Sequence, residues 1–208
     1  MQTEQFAAAA GISGDLASRW LEPVTGSMER FSIIRPIDQA MFIAQTAHES
    51  GGFTTLTECF NYTPEALQQL FSSYFTPQQA MALGRTAAHS AQQPQIAEQL
   101  YGQRLGNLTP AEGWIYRGRG LIQITGRENY LRCASGIGLP LLSHPDLLAT
   151  DTPAALSAAW FFASQGCLAC SGDLVKVTEI INGGRNGLTD RAERLQTALT
   201  ALTALQQA

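Results

Sequence analysis

Two glutamates, Glu49 and Glu58, stand nine residues apart in settings suited to acid–base chemistry. Glu49 closes an apolar segment in Ala47-His48-Glu49-Ser50-Gly51-Gly52-Phe53, where the Gly-Gly pair breaks a helix. Glu58 lies in Leu56-Thr57-Glu58-Cys59-Phe60-Asn61-Tyr62, a mostly apolar run. Hydrolysis of a glycosidic bond needs one carboxyl group that holds a proton for the leaving oxygen. A second must stay ionised to activate water or attack carbon. Apolar neighbours disfavour the charged form, push a carboxyl pKa upward and so suit a general acid. Taken alone, a glutamate before glycine is more often a plain helix end.

Two further stretches carry polar groups in unusual places. In Trp114-Ile-Tyr116-Arg117-Gly118-Arg119-Gly120-Leu121-Ile122-Gln123-Ile124-Thr125-Gly126-Arg127-Glu128-Asn129-Tyr130, glycines 118 and 120 permit close backbone approach. Gln123, Thr125 and Asn129 interrupt an apolar segment there, and polar groups so placed bond either the backbone or a ligand. No Gly-Lys-Ser/Thr follows, which excludes a phosphate loop. The third stretch, Ile180-Ile181-Asn182-Gly183-Gly184-Arg185-Asn186-Gly187-Leu188-Thr189-Asp190-Arg191, contains an Asn-Gly-Gly turn signal.

The elements that must hold these groups read as helices. Thr63-Pro64, Thr76-Pro77, Thr109-Pro110 and Thr152-Pro153 each set a capping hydroxyl before a proline suited to the first helical position. Thr76 with Gln79 and Thr109 with Glu112 also fit a capping box. Ile37, Met41, Ala44 and His48 share one face of a helix entered after Pro36. Residues 154–164, with Trp160, Phe161 and Phe162, read as a buried helix. A C-terminal helix runs from Asp190 to Leu205 with Leu195, Leu199 and Leu202 in a stripe. The best strand candidate is Gly120–Thr125, by brief alternation. The expected fold class is therefore all-α. A Gln-, Ala- and Ser-rich segment, about 63–110, reads as a smaller helical lobe inserted into a main body formed by 1–62 and 111–208.

Bulk composition narrows the function. The chain has 208 residues, 45% of them apolar and 14% charged, enough for a substantial core in one domain. A net charge of −4 argues against a basic nucleic-acid-binding face. Apolar runs fall short of a membrane span, and the first residues lack the basic start of a secretory signal. The reading is a monomeric protein made in the cytoplasm, whose action outside would require release by a separate factor. Cys59, Cys133, Cys167 and Cys170 fit reduced, buried thiols better than a metal site. Cys167-x-x-Cys170 has no second pair, and the histidines at 48, 89 and 144 are scattered.

Together and in this order, the three stretches resemble glycoside hydrolase family 19 over about residues 36–195, most closely its compact phage and prophage endolysins. The resemblance implies a lysozyme-like helical fold with two lobes flanking a groove, and an inverting acid/base mechanism without metal or cofactor. Glu49 falls on the general acid and Glu58 on the general base. Thr125 falls on the residue that helps hold the nucleophilic water. Gln123, Asn129 and Asn182 fall on substrate-contacting positions, as do Arg191, an arginine beside the acid, and His48, the residue before it. Tyr62, Tyr116 and Trp114 offer flat faces for sugar rings. Asn186 replaces an acidic residue of many chitinases, which shortens the network around the acid and leaves its tuning to burial. Glu128 replaces a tyrosine. Both departures suit the endolysin branch. The substrate implied is the bacterial peptidoglycan glycan strand, cut by a muramidase-type activity in cell lysis. The alternatives are a chitinase acting on poly-N-acetylglucosamine, an antibacterial effector of the same chemistry, and a wall-binding module without activity.

Overall fold

The computed structural model describes residues 1–203. Eleven helices account for its regular structure: α1 Thr3–Ala10, α2 Gly14–Arg30, α3 Pro36–Glu49, α4 Pro64–Phe71, α5 Pro77–Leu83, α6 Gln93–Tyr101, α7 Glu112–Ile115, α8 Arg127–Ile137, α9 Asp151–Ser164, α10 Leu174–Asn182 and α11 Leu188–Thr203. Short 3₁₀ turns occupy Pro145–Ala149 and Cys167–Cys170. The fold is all-α. No helix among the described residues is long and apolar enough to cross a membrane.

Several caps form where the sequence sets them. Thr63 Oγ1 accepts from Ala66 N at the start of α4. Thr76 and Gln79 complete a reciprocal capping box on α5. Two starts differ from expectation. Helix α7 begins at Glu112, because the Glu112 carboxylate reaches back to Leu108 N at 2.6 Å and the Thr109-Pro110 step stays a turn. Helix α9 begins at Asp151, with Pro153 inside its first turn; a bidentate contact from Arg19 holds Asp151 at 2.6 and 2.8 Å. In α11, Leu195, Leu199 and Leu202 pack on the core as expected, and Leu205 lies outside the described residues.

Gly120–Thr125 is not a strand. Arg119 and Ile124 exchange backbone hydrogen bonds at 3.2 and 2.8 Å, which closes residues 120–123 into a tight loop. Gly120 (φ 86°) and Gln123 (φ 57°) take left-handed conformations in it. The alternation of side chains reflects this loop, in which Arg119 alone bridges both to Thr57 and to Ile124.

The central helix is α3. It is buried on nearly every side, from Ala40 to Ala47, and not along the single stripe Ile37–Met41–Ala44–His48. It packs against α11, while α1 closes on α11 and α2 on α9. Phe6, Trp20, Met28, Phe42, Phe53 and Phe162 lie in this core. A second cluster, Phe60, Leu67, Phe75, Ile96, Ala97 and Leu100, is built from α4 to α6 and the loop before them. A third gathers Tyr116, Ile124, Tyr130, Cys133, Ile137, Leu141 and Leu148 around α8. Cys133 and Cys167 are buried thiols with pKa values pushed up to about 12 by desolvation. Cys59, by contrast, is exposed.

Candidate active site

Glu49 is the last residue of α3, and the local sequence explains why the helix stops there. Gly51 (φ 59°) and Gly52 (φ 74°) turn the chain through the left-handed region, where a Cβ is unfavourable. Ser50 Oγ donates to Thr46 O at 2.6 Å and accepts from Phe53 N at 2.9 Å. Phe53 is itself left-handed at φ 65°, a strain of about 1–2 kcal/mol. Its ring is fully buried between Phe6 and Trp20, and its carbonyl accepts from Trp20 Nε1 at 3.1 Å. Burial of a side chain this size outweighs the strain. The Gly-Gly-Phe string thus fixes the direction in which the chain leaves Glu49.

A carboxylate at a helix C-terminus faces the negative end of the helix dipole and calls for a cation. Arg191 of α11 supplies it by donating from Nη2 to Glu49 Oε1. Nη1 donates to Gln45 Oε1, and Nε donates to the Asn186 carbonyl at 3.1 Å. Gln45 in turn donates to Thr178 Oγ1 at 3.0 Å. The network therefore ends in neutral amides and a hydroxyl, with the backbone of Asn186 taking part and its side chain not. Arg191 is fully enclosed, so it holds Glu49 and does not reach a sugar, which corrects its placement among substrate contacts. Glu49 keeps 18% of its side chain exposed, and no described residue hydrogen-bonds its Oε2. Beside it, His48 Nδ1 pairs with Asp190 Oδ2 at 2.6 Å, and Arg194 holds the same oxygen at 2.7 Å. These two partners pull the Asp190 pKa below the usual carboxylate range. The His48 ring lies against Gly187, where a Cβ would come within 2.2 Å of it. His48 is thus clamped from two sides.

Glu58 is held differently. Its amide donates to Gly118 O at 2.9 Å, and its Oε2 accepts from Gly118 N at 3.1 Å. Oε1 accepts from the Tyr101 hydroxyl at 2.8 Å. Burial raises the Glu58 pKa, partly opposed by the Tyr101 and Gly118 hydrogen bonds and by the nearby Arg117 charge. Desolvation and the Glu58 charge push the Tyr101 phenol far above its ordinary value, which keeps it a donor. Desolvation, then the Glu58 charge, raise Tyr62 as well. Gly118 is required by contact: a Cβ there would meet Gln123 Oε1 at 2.7 Å, Glu58 Oε2 at 3.0 Å and Thr125 Oγ1 at 3.1 Å. Three oxygens therefore converge on one glycine, among them the Thr125 hydroxyl and the carboxylate.

Gln123 and Thr125 also line a cavity of about 510 Å³, together with Asn129 and Asn182, with Trp160 and Phe161 on its wall. Asn129 Nδ2 donates to Thr125 O at 2.8 Å, and Gln123 Nε2 to Gly120 O at 3.1 Å, which orient both amides. Tyr116 does not join them. It is buried against Tyr130 at 5.2 Å and donates to Leu142 O at 3.1 Å, so core packing, not a sugar, takes its ring. Trp114 packs on Phe60 with Arg117 stacked 3.9 Å over its ring. Sequence reading passed over Tyr101, Gly118 as a direct ligand of Glu58, and Gln45. The two glycines of Arg-Gly-Arg-Gly were a signal for Gly118; nothing local marked Tyr101 or Gln45.

Two carboxylates, one at a helix end tied to a buried cation with an oxygen free and one in the loop that follows, cradled by neutral donors beside a hydroxyl, can transfer a proton at each side of a bond. Comparison with known proteins agrees. The glycoside hydrolase family 19 model, described as chitinase class I, matches residues 32–192. A glycosyl hydrolase family 19 domain-containing protein of Haemophilus influenzae is 35% identical over 175 residues, covering 83% of this chain and 84% of its own. Endochitinase CH5B of Phaseolus vulgaris is 31% identical over 168 residues, covering 70% of this chain and 44% of its own length. Chitinase C of Streptomyces griseus shares the fold at a TM-score of 0.61 and 16% identity, over 97% of this chain and 91% of that one. A bacterial family 19 chitinase does so at 0.62 and 16%, over 97% and 94%. The motif order, the paired carboxylates and these similarities together place the chain in glycoside hydrolase family 19, as an all-α, lysozyme-like enzyme that hydrolyses glycosidic bonds.

Proposed function

We propose that this enzyme cleaves β-1,4 bonds of bacterial peptidoglycan glycan strands, as an endolysin-type muramidase acting on the wall after release by a separate factor. The observation that carries the chemistry is the contrast between the two carboxylates. Protonated Glu49 donates to the glycosidic oxygen through its unbonded Oε2. Ionised Glu58 takes a proton from a water that Thr125 Oγ1 helps to hold, since both groups converge at Gly118. A raised pKa makes Glu58 a stronger base, nearer the working pH. Water attacks the face opposite the leaving group, which inverts the anomeric carbon. Gln123, Asn129 and Asn182 hold sugar amides and hydroxyls, and Tyr62 offers a flat face near Glu58. His48 positions the acid. The segment 63–110 forms the opposite wall of the groove, and the protein works as a monomer.

The departures at Asn186 and Glu128 support the wall-glycan reading. The Phaseolus relative, named an endochitinase, supports chitin as the second reading. Mass spectrometry of borohydride-reduced products from purified peptidoglycan, with Glu49→Gln as control, decides between them. Reduced N-acetylmuramic acid ends are expected from the wild type and none from Glu49→Gln, whose helicity stays normal at the assay temperature. Reduced N-acetylglucosamine ends would make the enzyme a glucosaminidase. Products from chitin alone would move it to the chitinases, and a Glu49→Gln variant that still lyses walls would sink the assignment.

A further inference from the structure

The cavity lined by Gln123 and Thr125 carries at its exposed rim a charge that the acid–base reaction does not use. Among the described residues that line it, Arg132 alone is charged. Arg132 forms no ion pair or side-chain hydrogen bond with any described residue. It stands one turn after Asn129 on α8, so the two side chains share a face of that helix. Glu128, four residues before it, packs against the Gly106 turn: a Cβ on Gly106 would come within 2.5 Å of the Glu128 Cβ. The chain as a whole carries −4, so a lone cation in this cavity is no by-product of a basic surface. One turn further along α8, Trp160 is pressed on Gly136, where a Cβ would meet its Nε1 at 2.0 Å, which fixes the indole as a wall.

A cavity lined by amides and an aromatic face suits an N-acetylated sugar. An unpaired guanidinium in it suits a planar oxyanion, which it can bind through two parallel hydrogen bonds. Chitin carries no carboxylate. A wall glycan carries one on the lactyl ether of muramic acid when the stem peptide is removed, and others on the stem peptide when it is present. We propose that Arg132 is a specificity-determining residue that binds a carboxylate of the glycan strand and so favours the wall polymer over chitin. This rests on the wall-glycan reading given above.

The test is kcat/KM for wild type, R132Q and R132K on three soluble substrates. These are uncross-linked strands stripped by an amidase, the same strands with stem peptides, and a neutral chitin hexasaccharide. R132Q should lower the ratio of wall to chitin activity by about fivefold, through KM and not kcat, as loss of one exposed charged contact allows. R132K should retain part of the ratio, and 0.5 M salt should shrink the difference. Sensitivity confined to stripped strands assigns the lactyl carboxylate; sensitivity confined to peptide-bearing strands assigns the stem. An equal fall on wall glycan and chitin, or no fall on either, would overturn the role of Arg132 while leaving the wall-glycan reading intact. Wild-type enzyme that cuts only the chitin oligomer would overturn that reading, and this assignment with it.

Discussion

The two carboxylates belong to opposite kinds of environment. Glu49 sits at the end of the most buried helix, and its partner is a cation enclosed in the same core. Glu58 sits in a loop, and its partners are neutral: a main-chain amide and a phenol from α6, whose hydrophobic cluster is separate. Charge can be compensated rigidly inside a core, whereas neutral donors leave a carboxylate free to change its proton with pH. The first arrangement secures position and the second secures responsiveness.

Breaking the neutral side chemically should have the largest effect. Glu58→Gln removes the proton acceptor, and turnover should fall by about 10³-fold. Stability should move the other way. Because burial raises the folded pKa of Glu58, its neutral form stabilises the fold at low pH, and that contribution is lost as pH rises through the raised value. A neutral glutamine therefore melts at or above the wild-type temperature at pH 7. A loss of several degrees would refute the assignment of burial as the cause.

Breaking the charged side should damage the fold more than the chemistry alone requires. Arg191→Met leaves Gln45 and the Asn186 carbonyl without their donor and Glu49 without its cation. Loss of one partner from such a network costs about 3–5 kcal/mol. Thermal melts followed by circular dichroism should show a drop of roughly 5–15 °C. A variant that melts like the wild type would show that α11 is held by packing alone.

The smallest change sharpens the comparison most. Tyr101→Phe keeps the ring against Phe60 and deletes only the donor to Glu58 Oε1. That hydrogen bond lowers the Glu58 pKa, so its loss raises it further. The acid limb of kcat/KM against pH should shift upward, and kcat at its optimum should fall by about tenfold. A purely structural role for Tyr101 would lower the plateau without moving the limb.

The sequence made much of this legible, because the relevant signals are local. Gly51-Gly52 marked the end of α3, Thr76 and Gln79 marked a cap, and the scarcity of strand patterns left helices as the fold. The errors share a cause. Periodicity gives α3 one buried face, but packing on several sides buries Ala40 to Ala47 without a break. Tyr116 looked like a sugar platform until Tyr130 and the Leu142 carbonyl claimed it. Gly120–Thr125 alternates like a strand, but two left-handed residues fold it into a loop. The Tyr101 contact spans 43 residues and the Gln45–Arg191 contact spans 146, and no periodicity encodes such pairs.

The separation between Glu49 and Arg191 also has a meaning in time. Both carboxylates and the whole Gly118 loop leave the ribosome well before the guanidinium that anchors Glu49, which follows it by 142 residues. A nascent chain that ends between Asn182 and Asp190 carries every polar group assigned to the groove and still lacks the cation that holds the first carboxylate in place. Hydrolytic competence is thus acquired as synthesis of α11 begins, and a partly made chain is not yet a working enzyme.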